Sequence, residues 1–303
     1  MSGAATTAAA EARGPGLRAR LRARGLDGIT LLALPAVLFV LALFIYPCAY
    51  GLVISFQPKE GGAFANYLHF FADPFLYDTI LTTLAIAVPA TAFNVIASVP
   101  VALRVRLLRR QRVLTTLLVL PVTLGTVLVA EGLLNYLGPR GWLNRALMAA
   151  HLTSEPVRLI HDYWGVFLSL VITGFPFTFL LTLSYVSGID PSLEQAGAML
   201  GARARQRFTR IILPLLVPGL AVTVCLAFVQ AFSVFPSAVL LGAPAGPTRV
   251  ISIAAYQAAF EQFDDSLASA IAMIMAAVQV VIVVAILGLR TLFYSGPASS
   301  GKG

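Results

Sequence analysis

Charge is what this sequence has least of. Of 303 residues only 11% are Asp, Glu, Lys or Arg, while 58% are hydrophobic. A soluble domain carries about 25% charged residues, and here apolar runs of roughly 20 residues recur, each long enough to cross a hydrocarbon core. One large soluble core is excluded, because too many of these runs lack a polar face. Cysteine is scarce too: Cys48 and Cys225 both fall inside apolar runs, which argues against a disulfide and against a metal-ligand pattern. No G-x-x-x-x-G-K-[ST] loop is present to cradle ATP phosphates, and the terminal Gly-Lys-Gly lacks its context. The histidines (His69, His151, His161) show no paired ligand spacing, and no H-E-x-x-H motif or Ser-His-Asp arrangement stands out. The chain reads as no enzyme in its own right, without a catalytic residue, metal or cofactor of its own.

What is present is an all-α, polytopic membrane pattern. Six spans are expected at about 29–55, 79–103, 113–137, 163–186, 212–235 and 266–289. Pro89, Pro100, Pro121 and Pro176 fall in or near them, as membrane helices tolerate. The first run follows Arg13, Arg18, Arg20, Arg22 and Arg24, yet it is longer than a signal peptide's apolar core and no small-x-small site closes it. It reads as an uncleaved span. The expected organisation is a basic tail over 1–27, a membrane domain over 28–290 and a short tail over 291–303.

The net charge of +8 does not point to nucleic acid, because the basic residues cluster beside spans. Arg104, Arg106, Arg109, Arg110 and Arg112 follow the second span without an acid, and Arg203, Arg205, Arg207 and Arg210 follow the fourth. The connectors after the first and fifth spans lean acidic. Positive-inside logic places both termini and the even connectors in the cytoplasm of a multi-pass cell-membrane protein. Polar residues inside spans are few: Glu131 and Asn135 share a face near the outer end of span three, and Gln230 and Ser233 lie three apart on span five. These four are read as a candidate substrate pathway, the rival being hydrogen bonding between helices. For Asn94, Gln230 and Gln279 the rival reading is favoured. "GPRGWLNRALMAAHL" (138–152) predicts a short helix lying on the outer surface, and "ANYLHFFADPFLYDT" (65–79) an aromatic interface segment.

The stretch "LEQAGAMLGARARQRFTRIILPLL" (193–216) is polar and arginine-rich amid apolar runs. Asp190-Pro191 is a helix start, with a carboxylate at N-cap and proline at N1. Glu194 sits in the first turns, where the helix dipole favours an acid. Leu193, Ala196 and Leu200 form one apolar edge. Gly201 permits a sharp bend, after which Phe208, Ile211 and Ile212 resume an apolar side. Two short helices bent at a glycine follow, either resting on lipid or docking into a soluble partner.

The spacing resembles the signature loop of permease subunits in binding-protein-dependent type I ABC importers: Glu-Ala-Ala, three residues, Gly, nine residues, Ile-x-Leu-Pro. Gln195-Ala196-Gly197 stand on the first three positions, then Gly201 followed by Ala202, then Ile211-Ile212-Leu213-Pro214, without a gap. Gln195 replaces the acid, with Glu194 just before it. Gly197 replaces the second alanine and loosens the first helix by about 1 kcal/mol relative to alanine. "YPCAYGLVISF", "GWLN" and "GAPAGPTRVISIAAY" extend the resemblance over about residues 30 to 290.

The resemblance implies a six-span permease fold in which residues 188–214, with Leu200 among them, couple to an ABC ATPase dimer that binds the ATP and Mg. It further implies a second permease subunit, a homologue or a copy of this chain, and an extracytoplasmic solute-binding protein. The importers of polyamines, phosphonates or ferric iron are most similar, with sugar or glycerol-phosphate importers next. The acidic outer connectors and Glu131 favour a small cationic solute such as a polyamine. A secondary transporter independent of ATP is the rival from another class; it should show broken repeats or coupled midplane acids.

Overall fold

A computed structural model describes residues 28–108 and 110–293. The tail over 1–27, Arg109 and residues 294–303 lie outside the described residues. Among the described residues the chain is all helix and turn, with no strand. Contacts divide it into two units, Met1–Val53 and Ile54–Gly303. The first unit carries α1 (Gly28–Ser55) as far as Val53, with Pro35 and Pro47 inside it. Leu38, Phe39, Val40, Phe44 and Tyr46 stand exposed around it. An apolar surface on every side suits lipid, because the helix satisfies its own backbone.

The second unit runs α2 (Ala65–Ala72), α3 (Pro74–Val105), α4 (Gln111–Thr123), α5 (Gly125–Leu137), α6 (Trp142–Ala149), α7 (Tyr163–Ser187), α8 (Pro191–Met199), α9 (Ala204–Arg207), α10 (Leu213–Phe232), α11 (Pro236–Leu241), α12 (Ile251–Tyr256) and α13 (Asp265–Phe293). Two π-helical turns, Phe208–Ile212 and Gln257–Glu261, precede α10 and follow α12. The segments Leu34–Ser55, Pro74–Val105, Tyr163–Ser187, Ala204–Phe232 and Asp265–Arg290 are long and apolar enough to cross a membrane.

The run read as a continuous span over 113–137 is instead broken. Gln111–Pro121 and Gly125–Ala149 meet at 79°, so a sixth span exists only if that pair counts as one. Pro121 removes a donor within the last helical turns, and Gly125 takes φ +75, which a side chain resists. Other boundaries also move. α3 starts at Pro74 rather than 79, because Asp73 Oδ1 accepts from Phe75 N at 2.9 Å and caps the helix. The fifth span ends at Phe232 rather than 235, and Pro236 opens α11.

α3 and α7 pack along most of their length, with α10 beside both. Their contact is dense in small and hydroxyl residues: Ser98 and Thr182 share a hydrogen bond at 2.9 Å, and Ser169 meets Ser237 of α11 at 2.7 Å. Such pairs draw helices together where hydrocarbon offers no hydrophobic drive. One buried cluster gathers Phe70, Ile86, Phe228, Phe232, Ile251 and Ile271. A second, near the 190–212 loop, gathers Ala102, Val105, Phe179, Leu183, Val186 and Leu216.

At the end remote from that loop, buried Arg249 joins α3 to α12. It donates to the Phe75 carbonyl at 2.8 Å and to Gln257 Oε1 at 2.8 Å, with its guanidinium 3.9 Å from the Phe75 ring centre. Burial pushes its pKa down from the ordinary guanidinium value, opposed by the charges of Asp73 and Glu261. The "GWLN" stretch is organised around a fully buried side chain. Asn144 donates to the carbonyls of Gly138 at 2.9 Å and Val157 at 3.1 Å, and accepts from Val157 N at 2.8 Å.

Candidate functional site

The loop between α7 and α10 folds as two short helices. Asp190 Oδ1 accepts from Ser192 N at 2.8 Å, and Pro191 occupies the first helical turn, so α8 begins where Asp-Pro predicts. That contact with the Ser192 backbone and side chain lowers the Asp190 pKa below the usual 3.8. α8 ends in a Schellman cap. Gly201 N bonds Ala198 O at 3.0 Å, Ala202 N bonds Gly197 O at 3.0 Å, and Gly201 holds φ +79. α9 then starts with Gln206 Oε1 accepting from Arg203 N at 2.8 Å.

A π turn carries the chain into α10, with Leu213 N bonding back to the Phe208 carbonyl. The wider turn accommodates Pro214, which has no N–H to donate to Arg210 and whose ring would crowd that carbonyl in a regular helix.

Within this loop the predicted residues divide by direction. Gln195, Ala196, Leu193 and Leu200 are exposed, Leu200 at 89%, with Met199 beside them at 83%. Glu194 faces inward instead: its carboxylate meets Arg106 Nη2 at 2.5 Å. Arg106 Nη1 reaches the Val186 carbonyl at 3.4 Å. Gly197 is buried, and a Cβ on it would meet Ile211 Cδ1 at 2.8 Å and Arg207 Cγ at 3.5 Å. Besides its low helix propensity, Gly197 leaves out a side chain where α8 meets the π turn at Ile211. Ile212 is buried, Ile211 and Leu213 are half-buried, and Pro214 is exposed. Behind α8 lies a cavity of about 430 Å³, lined by Arg106, Gln111, Ile189, Glu194, Gln195 and Arg207 among others.

The four residues read as a substrate pathway are not gathered in one cavity. Gln230 and Ser233 line a space of about 330 Å³, with Asn94, Thr126, Thr173 and Gly174. Glu131 and Asn135 are exposed on α5 and are absent from that lining; Asn135 Nδ2 folds back on the Glu131 carbonyl at 3.0 Å. The bend at Gly125 redirects α5, which a straight span would not have done. Gln279 Nε2 donates to Ser233 Oγ at 2.8 Å.

Asn94 was read as a hydrogen-bonding residue between helices, and its Nδ2 does reach the Leu170 carbonyl at 3.2 Å. Its Oδ1, however, is buried in the cavity wall without a partner among the described residues. An unpaired amide oxygen in an apolar bundle costs free energy, and a ligand donor would relieve that cost. The sequence signal was there: an amide in the middle of a span.

Comparison with known proteins fits this geometry. Residues 90–294 match the family described as "Binding-protein-dependent transport system inner membrane component". The chain is 30% identical over 200 residues to the spermidine/putrescine transport system permease protein PotB of Haemophilus influenzae, covering 63% of this chain and 70% of that protein. It is 26% identical over 254 residues to the trehalose transport system permease protein SugA of Mycobacterium tuberculosis, covering 81% of this chain and 82% of the relative. Among solved structures, a chain of a bacterial alginate ABC transporter, in complex with alginate pentasaccharide-bound periplasmic protein, superposes with a TM-score of 0.76 at 24% identity. That match covers 92% of this chain and 99% of the other, and it bears on the fold alone.

Proposed function

The chain belongs to the family of binding-protein-dependent transport system inner membrane components, and from that premise we propose how it works as the permease subunit of an ABC importer. The α8–α9 loop is the docking element for an ATPase subunit. Leu193, Ala196, Met199 and Leu200 are the apolar face that enters the partner, and Gln195 is a neutral polar contact at its edge. Glu194 is not the partner's acid, because it is spent on Arg106 within the chain. The single observation that carries this reading is an exposed apolar edge on a helix capped on both ends and bent at Gly201. A lone surface helix has little reason to be built so firmly. ATP and Mg stay with the ATPase dimer, a second permease completes the pore, and an extracytoplasmic binding protein delivers solute. Both termini lie on the ATPase side.

The solute is a small organic cation of the polyamine type, supported by the likeness to PotB and by the amide and hydroxyl lining of the Asn94–Gln230–Ser233 cavity. A sugar is the second reading, favoured by the longer alignment with SugA and by the same uncharged lining. Purified chain should retain a P-loop ATPase from its own host, and Gly201→Val should lower uptake, because valine resists the φ of +79 held there. Recovery of no such ATPase, together with unchanged uptake in Gly201→Val, rejects the importer reading. The solute is identified by which compound raises the melting temperature of the cognate binding protein, with spermidine and trehalose as the two probes.

A further inference from the structure

The coupling loop is joined to the bundle at a point its own chain direction does not require. α8 follows α7 and leads through α9 into α10, so those two helices hold it covalently. Arg106 belongs to neither. It is the C-cap of α3, and its side chain, only 10% exposed, bridges to Glu194 of α8 at 2.5 Å and to the Val186 carbonyl at the end of α7 at 3.4 Å. The cavity of about 430 Å³ separates these elements, so α8 stands off from α3 with the ion pair across the gap. Among the described residues the Arg106 Nε is buried without a partner, and Glu194 and Val186 hold the guanidinium.

We propose that Arg106 is a positioning residue that makes α3 a third transmission path from the ATPase to the solute cavity. The proposal rests on the importer reading above. From Arg106 the helix runs back to Asn94, twelve residues and roughly 18 Å at 1.5 Å per residue. Asn94 lines the cavity with Gln230 and Ser233. α7 reaches the same cavity through Leu170, Thr173 and Gly174, and α10 through Gln230. A displacement of α8 therefore reaches the three walls by three helices; α3 shares packing with α7 and α10, and its direct link to α8 is this one ion pair.

The test uses the full transporter in proteoliposomes, with Ser233→Cys as a cavity reporter in a chain lacking Cys48 and Cys225. The maleimide labelling rate is read with and without ATP, so no transported solute need be known. In the parent the rate should respond to ATP. In Arg106→Ala that response should shrink by roughly threefold or more, with the ATPase still co-purifying. The double exchange Arg106→Glu with Glu194→Arg should restore part of it. Glu194→Gln is isosteric and a third exposed, and gives the same reading where Arg106→Ala fails to accumulate. An unchanged ATP response in Arg106→Ala or Glu194→Gln overturns the proposal, as does a double exchange no better than either single change. Loss of ATPase association or of any ATP response in the parent instead rejects the importer reading, and the inference with it.

Discussion

Gly197 and Ile211 touch across the loop between α7 and α10: a Cβ on the glycine would sit 2.8 Å from Ile211 Cδ1. This contact packs α8 against the π turn that enters α10. Alanine at 197 gains about 1 kcal/mol of helix propensity, and the atom it meets is the free end of a flexible side chain. We therefore expect Gly197→Ala to keep uptake within about twofold, the shift of Ile211 Cδ1 offsetting the propensity gain. Gly197→Leu has no such escape and should abolish uptake. Initial uptake rates for the two variants check this, with Ile211→Ala restoring part of the loss in the leucine variant.

Gly201 differs in kind. Its φ is +79 and nothing lies within 4 Å of a Cβ built on it, so substitution there is governed by backbone conformation alone. The left-handed region costs a side-chain-bearing residue about 1–2 kcal/mol, with Asn penalised least. The expected order of thermal stability of the loop, and of uptake, is Gly, then Asn, then Ala, then Val. A valine variant as active as the asparagine variant contradicts the assignment.

Much of this was legible beforehand, and the misses have physical causes. Asp190-Pro191 announced α8 because a side-chain acceptor and an absent N–H are local properties. Asp73-Pro74 is the same device, yet the aromatic residues after it drew the expected start of α3 to 79. The hinge at Gly201 was readable from one residue's freedom. The break at Leu124 had its signal in Pro121 and Gly125, but it lay in a run read as one span by its hydropathy, which carries no record of direction. Glu194 and Arg106 lie 88 positions apart, so their pairing depended on α3 and α8 meeting in space. For the same reason Glu131 looked like a partner of Gln230 only while span three was assumed straight.

The cap on α8 should respond to acid. The Asp190 pKa is held below 3.8 by the Ser192 hydrogen bonds, so its contribution is present above the ordinary carboxylate value and is lost as pH falls through the lowered one. Hydrogen exchange of the α8 amides should therefore quicken as pH drops below 3.8, after correction for the intrinsic rate. Asn caps as well as Asp but does not titrate. Asp190→Asn should keep the protection and remove its pH dependence, whereas Asp190→Ala should show weak protection at every pH.

Arg249 anchors the opposite end through one stacked ring and two hydrogen bonds. A lysine retains the charge but cannot stack as a plane or donate in two fixed directions. Arg249→Lys should lower the melting temperature through loss of about 1–3 kcal/mol, while ATPase co-purification stays intact because the coupling loop lies elsewhere. Equal melting of Arg249→Lys and parent would show that the stacked plane and its two fixed donors add nothing beyond charge.

The cavity lined by Asn94, Gln230 and Ser233 yields the sharpest division between residues that sequence alone had grouped together. Gln230 and Asn94 line it, whereas Glu131 does not. Removing one hydrogen bond to a bound solute costs about 1.4 kcal/mol, roughly a tenfold loss. Gln230→Ala should lower uptake by about that factor, and Glu131→Gln should stay within about twofold of the parent. Gly174 supplies an independent probe of Asn94, because a Cβ there would meet Asn94 Nδ2 at 2.6 Å. Gly174→Ala should swing the amide off the Leu170 carbonyl and reproduce the Asn94→Ala uptake defect without touching Asn94 itself. If Glu131→Gln is the variant that loses uptake while Gln230→Ala and Gly174→Ala do not, solute passes by α5 rather than through this cavity.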